Sequence, residues 1–435
     1  MADLLASPRF KEVLFFVVVI ALCADFVFHY GLYRINSPNV DFPSFYYGAK
    51  AAFQMHKLPY SPAVWKVLQQ SYSEARLFPY IYPPPSLLFF YPASLLDYQT
   101  AKLLMLALNN LLVLVFLFFF LFKVMKLKPS SYLALALAVY LFWFFPVVST
   151  IKTGQINLVI LMMICLAWFA MKERLGPLWV AIPLAIGITL KLYPILFIPI
   201  LLFRREYKAI AVLALALLLI SLVATWVLPT GIWGDWYEHV ASNGYASTVS
   251  GLTVASTGNQ SINGFLTRLF LGAHRGNLEA LFPAPDWVTN VVPFVASGLV
   301  LLISLAVTGL GSRSHSEDVL DLQFSLWSLT LFLVAPLSWD HLLVLILPCL
   351  YVAARRVVLR REIPQALFVA VVAGLLAWQY PYDDPSFRHG LATLLISVKF
   401  FAVLSLWVYY VLLNLRGWRE RESLMSVQTP VSNAG

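Results

Sequence analysis

The sequence predicts an all-α protein that crosses a membrane many times, for three reasons. Hydrophobic residues make up 60% of the 435 positions and charged residues only 12%, and a soluble domain cannot cover its surface with so few charges. The mean hydropathy is +0.79. Apolar runs such as 13–24 (VLFFVVVIALCA) and 111–122 (LLVLVFLFFFLF) lack any polar side chain, and about 20 mostly apolar residues span a bilayer as a helix.

The orientation of the chain follows from its basic residues. The net charge of +9 is spread over short clusters between apolar runs, at residues 9–11, 123–128, 172–174, 204–208, 355–361 and 416–421. Such clusters mark cytoplasmic loops, so both termini are expected inside and no nucleic-acid partner is predicted. The first apolar run resembles a signal peptide, but Leu22 spoils its cleavage pattern and a retained first helix is expected.

Crossings between these clusters define the predicted spans. They are residues 12–31, 100–122, 131–148, 156–171, 209–228, 289–310, 323–338, 342–354, 365–380 and 391–413. Residues 178–203 must leave and return but are too short for two full spans. Two short helices that meet near Lys191 and Pro194 fit better, because proline breaks the helical hydrogen-bond ladder. With a half-helix at 86–97, about twelve segments result, in one domain over 1–422 followed by a polar cytoplasmic tail at 423–435.

The motif-like polar stretches all fall on the predicted outer face. Loop 32–99 contains Asp41 and is rich in proline and aromatic residues, so it is expected to be structured at the membrane interface, with a surface helix within 46–58. "TGQIN" ends the short loop 149–155, and "GNQSING" lies in the second long loop, 229–288. "SWDH" separates spans 323–338 and 342–354. The sequence therefore predicts one extracytoplasmic site built from five separated segments.

Two ionisable residues carry the predicted chemistry. Asp41 is either the N-cap of the helix that follows it or a general base, placed where a hydroxyl acceptor could meet a lipid-borne donor. Lys191 lies between long apolar runs, where a cation is costly and indicates function. It is expected either to hold a lipid phosphate, or to reach the membrane surface or pair with a carboxylate such as Asp25.

Other polar residues are weaker candidates. His341 follows Asp340 in "SWDH" and is either a structural histidine or an assistant to the base. Sugar hydroxyls could bind to the amides of "TGQIN" and "GNQS" and to the aromatic "YIYPPP" segment; the alternative for the amides is helix capping. These candidates are Gln155, Asn157, Asn259, Gln260 and Tyr82. Asp25 and His29 share one helix face, which is expected to point into the bundle.

The sequence contains no nucleotide-binding loop of the GxxxxGK[ST] or GxGxxG type and no cluster with metal-ligand spacing. Cys23, Cys165 and Cys349 each lie inside an apolar run and are interpreted as small buried hydrophobic residues. No metal and no cofactor are predicted. An enzyme of this kind must take an energised substrate from the membrane itself.

Six motifs in this order resemble glycosyltransferase family 87, within the GT-C superfamily of membrane enzymes. They are "VDFPSFYYGA", "YIYPPP", "TGQIN", "GITLKLYP" followed by "LLFRRE", "GNQSING" and "SWDH". The likeness extends from the first helix to about Pro348. Family members often carry a second histidine directly after the first, and this chain has Leu342 there.

The resemblance implies a GT-C-type bundle and a polyprenyl-phosphate sugar donor, most often of mannose, in some members of arabinofuranose. It implies inverting transfer outside the cytoplasmic membrane. The sequence leaves the acceptor open: a glycolipid or polysaccharide of the cell envelope is expected, and a protein is the alternative. Asp41 would be the catalytic carboxylate, His341 would assist, and Lys191 would hold the donor phosphate. The open alternatives are a lipid or solute transporter or flippase, suggested by Lys191 in a broken hairpin, and another GT-C activity.

Overall fold

The computed structural model describes residues 7–31, 39–70, 72, 77–243, 248–249, 252–272, 278–311 and 316–428. This part of the chain is helical apart from one short antiparallel pair of strands, Thr248–Val249 (β1) and Leu252–Thr253 (β2). In this pair Thr248 faces Thr253 and Val249 faces Leu252. The predicted all-α class is therefore correct for the membrane-embedded part of the protein.

Eighteen α-helices are described. They are Pro8–Tyr30 (α1), Phe42–Phe53 (α2), Pro62–Gln70 (α3), Leu87–Ser94 (α4), Tyr98–Phe118 (α5), Tyr132–Trp143 (α6), Phe145–Thr153 (α7), Asn157–Lys172 (α8), Pro177–Leu190 (α9), Ile198–Phe203 (α10), Tyr207–Val227 (α11), Ile232–His239 (α12), Ile262–Leu271 (α13), Asp286–Gly311 (α14), Glu317–Val334 (α15), Leu347–Arg360 (α16), Ile363–Ala377 (α17) and Val398–Gln428 (α18). A π-helical turn, Phe119–Val124, extends α5, and 3₁₀ turns at Tyr193–Phe197, Asp340–Ile346 and Gly390–Ser397 lead into α10, α16 and α18.

Six of these helical segments are long and apolar enough to cross a membrane, and a seventh span results if α6 and α7, bent by 42°, are counted as one. Shorter apolar helices, among them α8, α9 and α17, lie beside them. The protein is therefore a polytopic membrane protein, as predicted. Predicted spans 156–171 and 365–380 correspond to the shorter helices α8 and α17.

Helix α15 forms the centre of the bundle. Every residue from Val319 to Val334 is buried. Helix α11 is the opposite case, because only 11% of its most apolar window is buried within the protein. A helix that is apolar all round and unpacked on most of its surface is suited to contact with lipid.

The break near Lys191 occurs where the sequence predicts it. Helix α9 ends at Leu190, Lys191 is extended (φ −148°), and Pro194 lies in the first turn of the following 3₁₀ segment. The half-helix expected at 86–97 is α4. The helix expected within 46–58 is α2, which begins directly after Asp41, but it is not a surface helix because most of its residues are buried.

The predicted cytoplasmic clusters also meet, at one end of the bundle. Lys172 binds Asp321 at 2.9 Å, and both side chains are almost completely buried. Lys126 binds Glu317 at 3.0 Å, and Arg355 lies 3.9 Å from Asp321. Ionic contacts therefore tie together loops that the charge pattern assigns to one side of the membrane.

Helix α18 continues to Gln428, so the first part of the polar segment 423–435 is helical, and residues 429–435 lie outside the described part. One expectation for α1 needs correction. Asp25 and His29 do pair, at 3.1 Å, but their side chains are 68% and 55% exposed. This pair therefore points away from the packed interior, because the neighbouring apolar residues of α1, such as Phe26, take up the contact with the bundle.

Candidate active site

One cavity of about 470 Å³ is lined by all five segments that the sequence predicts to converge. Its wall includes Asp41, Tyr82, Gln155, Lys191, Gly258 and His341. The aromatic residues Phe78, Phe145, Tyr193, Trp339, Tyr380 and Tyr382 complete much of the lining. The cavity thus combines apolar surfaces with a few convergent polar groups, which is typical of ligand sites.

A close approach between α2 and α7 positions Asp41. The Asp41 amide donates to the Thr153 carbonyl at 2.9 Å. Gly154 adopts a left-handed conformation (φ +71°). A Cβ at this position would lie 2.6 Å from the side-chain nitrogen Nδ2 of Asn39 and 2.6 Å from the Phe42 Cβ. The glycine of "TGQIN" is therefore needed both for its backbone angle and for the space it leaves to the Asp41 segment.

Asp41 is the residue before α2, but its side chain makes no capping hydrogen bond. The N-cap alternative is therefore wrong, and the carboxylate lies against the cavity instead. Burial raises the pKa of Asp41. Hydrogen bonds from Gln155 and Thr153 and the charge of Lys191 act against this shift. The result is a carboxylate that is more basic than one in water but still has partners for its ionised form.

Lys191 is held by the two amides of "TGQIN". Its side chain is buried, and its ammonium donates to Gln155 Oε1 at 3.0 Å and to Asn157 Oδ1 at 2.8 Å. The ammonium also lies 5.1 Å from the centre of the Tyr82 ring, and Gln155 donates to the Tyr82 hydroxyl at 3.1 Å. Because an ammonium has three donors, these two bonds leave one for a ligand or for Asp41.

Lys191 therefore does not pair with Asp25, which contacts His29 instead. Burial lowers the pKa of Lys191, and the nearby charge of Asp41 opposes this shift. An additional anion beside Lys191 would favour its charged form. The surroundings of this lysine thus suit the binding of a negatively charged group.

His341 is the second residue of the 3₁₀ turn Asp340–Ile346, which follows "SW". Its backbone carbonyl accepts from Asn157 Nδ2 at 2.8 Å and from Thr150 Oγ1 at 3.1 Å. These bonds fix its position relative to Lys191, because the same Asn157 side chain binds both. Its side chain contributes to the cavity lining.

Asn259 and Gln260 do not line the cavity. Asn259 donates to the carbonyls of Val254 and Pro336, both at 3.0 Å, and accepts from the Ser338 amide at 2.9 Å. Gln260 donates to the Ile396 carbonyl at 2.9 Å, and its own backbone amide donates to the Ser338 carbonyl at 2.7 Å. Both side chains are fully buried. These two side chains fix the backbone that leads into "SWDH". Because they do not line the cavity, the structure does not support the expected contact with a donor.

Sequence reasoning missed one part of the cavity. Asp340 lines it and binds the Lys399 ammonium and the Tyr382 hydroxyl. Lys399 lies inside the predicted span 391–413. A lysine within an apolar run indicates function, and this rule identifies Lys191. Lys399 also lies in such a run, so the same rule identifies it from the sequence.

The model of glycosyltransferase family 87 matches residues 80–336 of the chain. The chain belongs to glycosyltransferase family 87. It is therefore a glycosyltransferase, and the resemblance stated from its motifs is confirmed. The matched region contains Tyr82, Gln155, Asn157 and Lys191, whereas Asp41 lies outside it.

A curated relative extends this comparison. The chain is 26% identical over 319 residues to a polyprenol-phosphate-mannose-dependent alpha-(1-2)-phosphatidylinositol mannoside mannosyltransferase of Mycobacterium tuberculosis. The alignment covers 69% of this chain and 67% of the relative.

Within the described residues, no three His, Cys, Asp or Glu side chains are grouped so that they could hold a metal ion.

The geometry at Gly154 makes a testable prediction. Gly154→Ala should reduce sugar transfer at least 10-fold, since the added methyl must displace the Asp41 segment. Gly231→Ala is the matched control, because Gly231 is also left-handed (φ +86°) but has nothing within 4 Å of an added Cβ. Initial rates and apparent melting temperatures of both purified variants provide the measurement. Equal losses of activity in the two variants would show that backbone strain alone, not the contact with Asn39 and Phe42, is responsible.

Proposed function

We propose that this enzyme transfers mannose from a polyprenyl-phosphate donor to a hydroxyl of a lipid-linked or glycan acceptor, with inversion. The observation that carries the proposal is that Asp41 and Lys191 line the same cavity. One group can accept a proton and the other can balance a phosphate. The donor class named for the relative, polyprenol-phosphate-mannose, supports this reading.

The proposed reaction is a single displacement that moves a proton to the base and leaves a negative charge on the departing phosphate. The acceptor oxygen attacks the anomeric carbon, and its proton passes to the Asp41 carboxylate. The bond between the anomeric carbon and the phosphate oxygen breaks, and its electron pair stays on that oxygen. Lys191 stabilises the polyprenyl phosphate that leaves. General-base assistance of this kind typically contributes about 10²–10⁴ in rate.

Donor binding should also activate the base. In the free enzyme the charge of Lys191 lowers the pKa of Asp41. A phosphate bound to Lys191 neutralises that charge and brings a negative charge closer to Asp41. Both effects raise the pKa of the carboxylate, so that Asp41 is most basic when a donor is in place. His341 is proposed to assist in the same cavity, beside the "TGQIN" amides that hold Lys191.

The wider architecture is part of the proposal. The long apolar helices and the shorter ones between them support a GT-C-type bundle of about twelve segments in one domain over residues 1–422. The meeting of the basic clusters at Lys172 and Asp321, apart from the cavity segments, supports a site on the extracytoplasmic side. A hydrogen bond of 3.1 Å from the Tyr60 amide to Asp235 joins outer loops 32–99 and 229–288, as expected for one active-site face.

Removal of the proposed base tests the mechanism. Asp41→Asn should lower kcat by about 10²–10⁴ while the enzyme still binds donor, because the amide cannot accept the proton. Transfer of radiolabelled mannose from polyprenyl phosphate mannose measures the effect. Asp97→Asn is the matched control, since Asp97 caps α5 and asparagine caps helices equally well. Normal transfer by Asp41→Asn would remove Asp41 from this role.

Removal of the proposed phosphate-binding cation has a different signature. Lys191→Met should raise the KM for the donor about 10-fold or more, because a hydrogen bond from a charged group is lost. Lys57→Met, which changes an exposed lysine of outer loop 32–99, should leave the donor KM unchanged. Steady-state kinetics with varied donor provide the test, and an unaltered donor KM in Lys191→Met would contradict the assignment.

The pKa of Asp41 predicts an unusual pH profile. Activity should fall on acidification as Asp41 becomes protonated, at a pH above the value of about 4 that is usual for an aspartate. The acid limb of kcat should lie at higher pH than that of kcat/KM for the donor, because kcat reports the donor-bound enzyme. Coincident limbs at about pH 4, the usual value for an aspartate, would contradict both the raised pKa of Asp41 and its activation by the donor.

A further inference from the structure

Asp340 is presented to the cavity by two residues of the C-terminal part of the chain. Its Oδ1 atom accepts from the Tyr382 hydroxyl at 2.5 Å and from the Lys399 ammonium at 3.0 Å. The Lys399 side chain is completely buried, whereas the Asp340 side chain is 12% exposed. A buried ammonium is costly unless it is paired, and the Asp340 side chain provides that partner.

The second oxygen of this carboxylate is the one available to a ligand. Within the described part of the chain, every bond to the Asp340 side chain ends on Oδ1. A carboxylate has about four acceptor positions on its two oxygens. Since Asp340 lines the cavity, Oδ2 can accept a hydrogen bond from a group bound there.

Aromatic surfaces lie beside this carboxylate. Trp339, Tyr380 and Tyr382 line the same cavity, and the rings of the two tyrosines are 5.3 Å apart. The Trp339 ring packs so closely on Gly258 that a Cβ there would lie 2.8 Å from it. Apolar ring faces next to a hydrogen-bond acceptor complement a sugar, which presents C–H groups on its faces and hydroxyls on its edge.

The charge of Asp340 indicates which substrate binds here. A phosphate would be repelled by the carboxylate and is better accommodated at Lys191. The hydroxyls of a neutral sugar are donors and match a carboxylate oxygen. The surroundings of Asp340 therefore suit a neutral sugar better than a phosphate.

We propose that Asp340 Oδ2 accepts a hydrogen bond from a hydroxyl of the acceptor's terminal hexose, while Trp339 packs against the same sugar. Tyr382 and Lys399 are positioning residues that fix the carboxylate. The proposal rests on the proposed function, because it assumes that the cavity holds an acceptor sugar next to the donor. The competing role for the Asp340–Lys399 pair is to attach the "SWDH" loop to α18.

The experiment measures binding of octyl α-mannoside, and of its four monodeoxy analogues, to the full-length protein by titration calorimetry. Asp340→Asn should weaken octyl α-mannoside binding about 10-fold or more, since hydrogen bonds to charged groups are the stronger class. On the wild type, one deoxy analogue should bind about 10-fold more weakly than octyl α-mannoside. On Asp340→Asn, that analogue and octyl α-mannoside should bind equally well, because the hydrogen bond to Asp340 is already lost. The variant should bind polyprenyl phosphate mannose with an unchanged Kd.

Two further variants separate binding from folding. Tyr382→Phe removes a single hydrogen bond to Asp340 and should weaken octyl α-mannoside binding several-fold, with no change in the Kd for the donor. Asp383→Asn is the matched control. Asp383 follows Tyr382 in the sequence, is exposed and binds Thr257, but it does not line the cavity. This control should bind both ligands like the wild type.

Three results would overturn the proposal. The first is that octyl α-mannoside does not bind to the wild type. The second is that Asp340→Asn loses as much affinity for the donor as for octyl α-mannoside. The third is that each deoxy analogue loses the same affinity on the wild type as on Asp340→Asn. Transfer of labelled mannose by the wild type is measured separately. Its absence would refute the proposed function, whereas the binding panel decides the role of Asp340.

Discussion

The organisation of the cavity depends on one buried cation, the Lys191 ammonium. Removing an ammonium from water costs several kcal/mol, so the surrounding structure must supply oxygen atoms for it. It does so through Gln155 and Asn157, which belong to a glycine-containing turn between two helices. The same turn receives the Asp41 amide on one side and fixes the His341 carbonyl on the other. Satisfying this lysine therefore brings together four segments of the chain.

The fold and much of this site follow from the sequence, and the reasons can be traced to particular residues. The number and placement of apolar runs and basic clusters are sufficient to predict a polytopic bundle. A lysine between two apolar runs is costly enough to indicate both a broken helix and a functional position. Gly154 and the amides after it appear in the sequence as a short motif, and the structure explains each of them through one contact.

Other features depend on partners that are distant in the sequence. The amides Asn259 and Gln260 have the chemistry of sugar ligands, but they bind the backbone at Pro336, Ser338 and Ile396. A sequence motif cannot distinguish these roles, because both use the same side-chain atoms. Asp340 presents the reverse case. It appears as half of an Asp-His pair in "SWDH", yet the structure pairs it with Lys399, 59 positions further along the chain.

In the proposed enzyme the cavity has an anion-binding part at Lys191 and a hydroxyl-binding part at Asp340. The most direct test of this division is a cryo-electron microscopy map of the Asp41→Asn variant with bound polyprenyl phosphate mannose. We expect the phosphate to contact the Lys191 ammonium and the anomeric carbon to face residue 41. A phosphate bound to Lys399 instead, with the sugar remote from residue 41, would contradict this division.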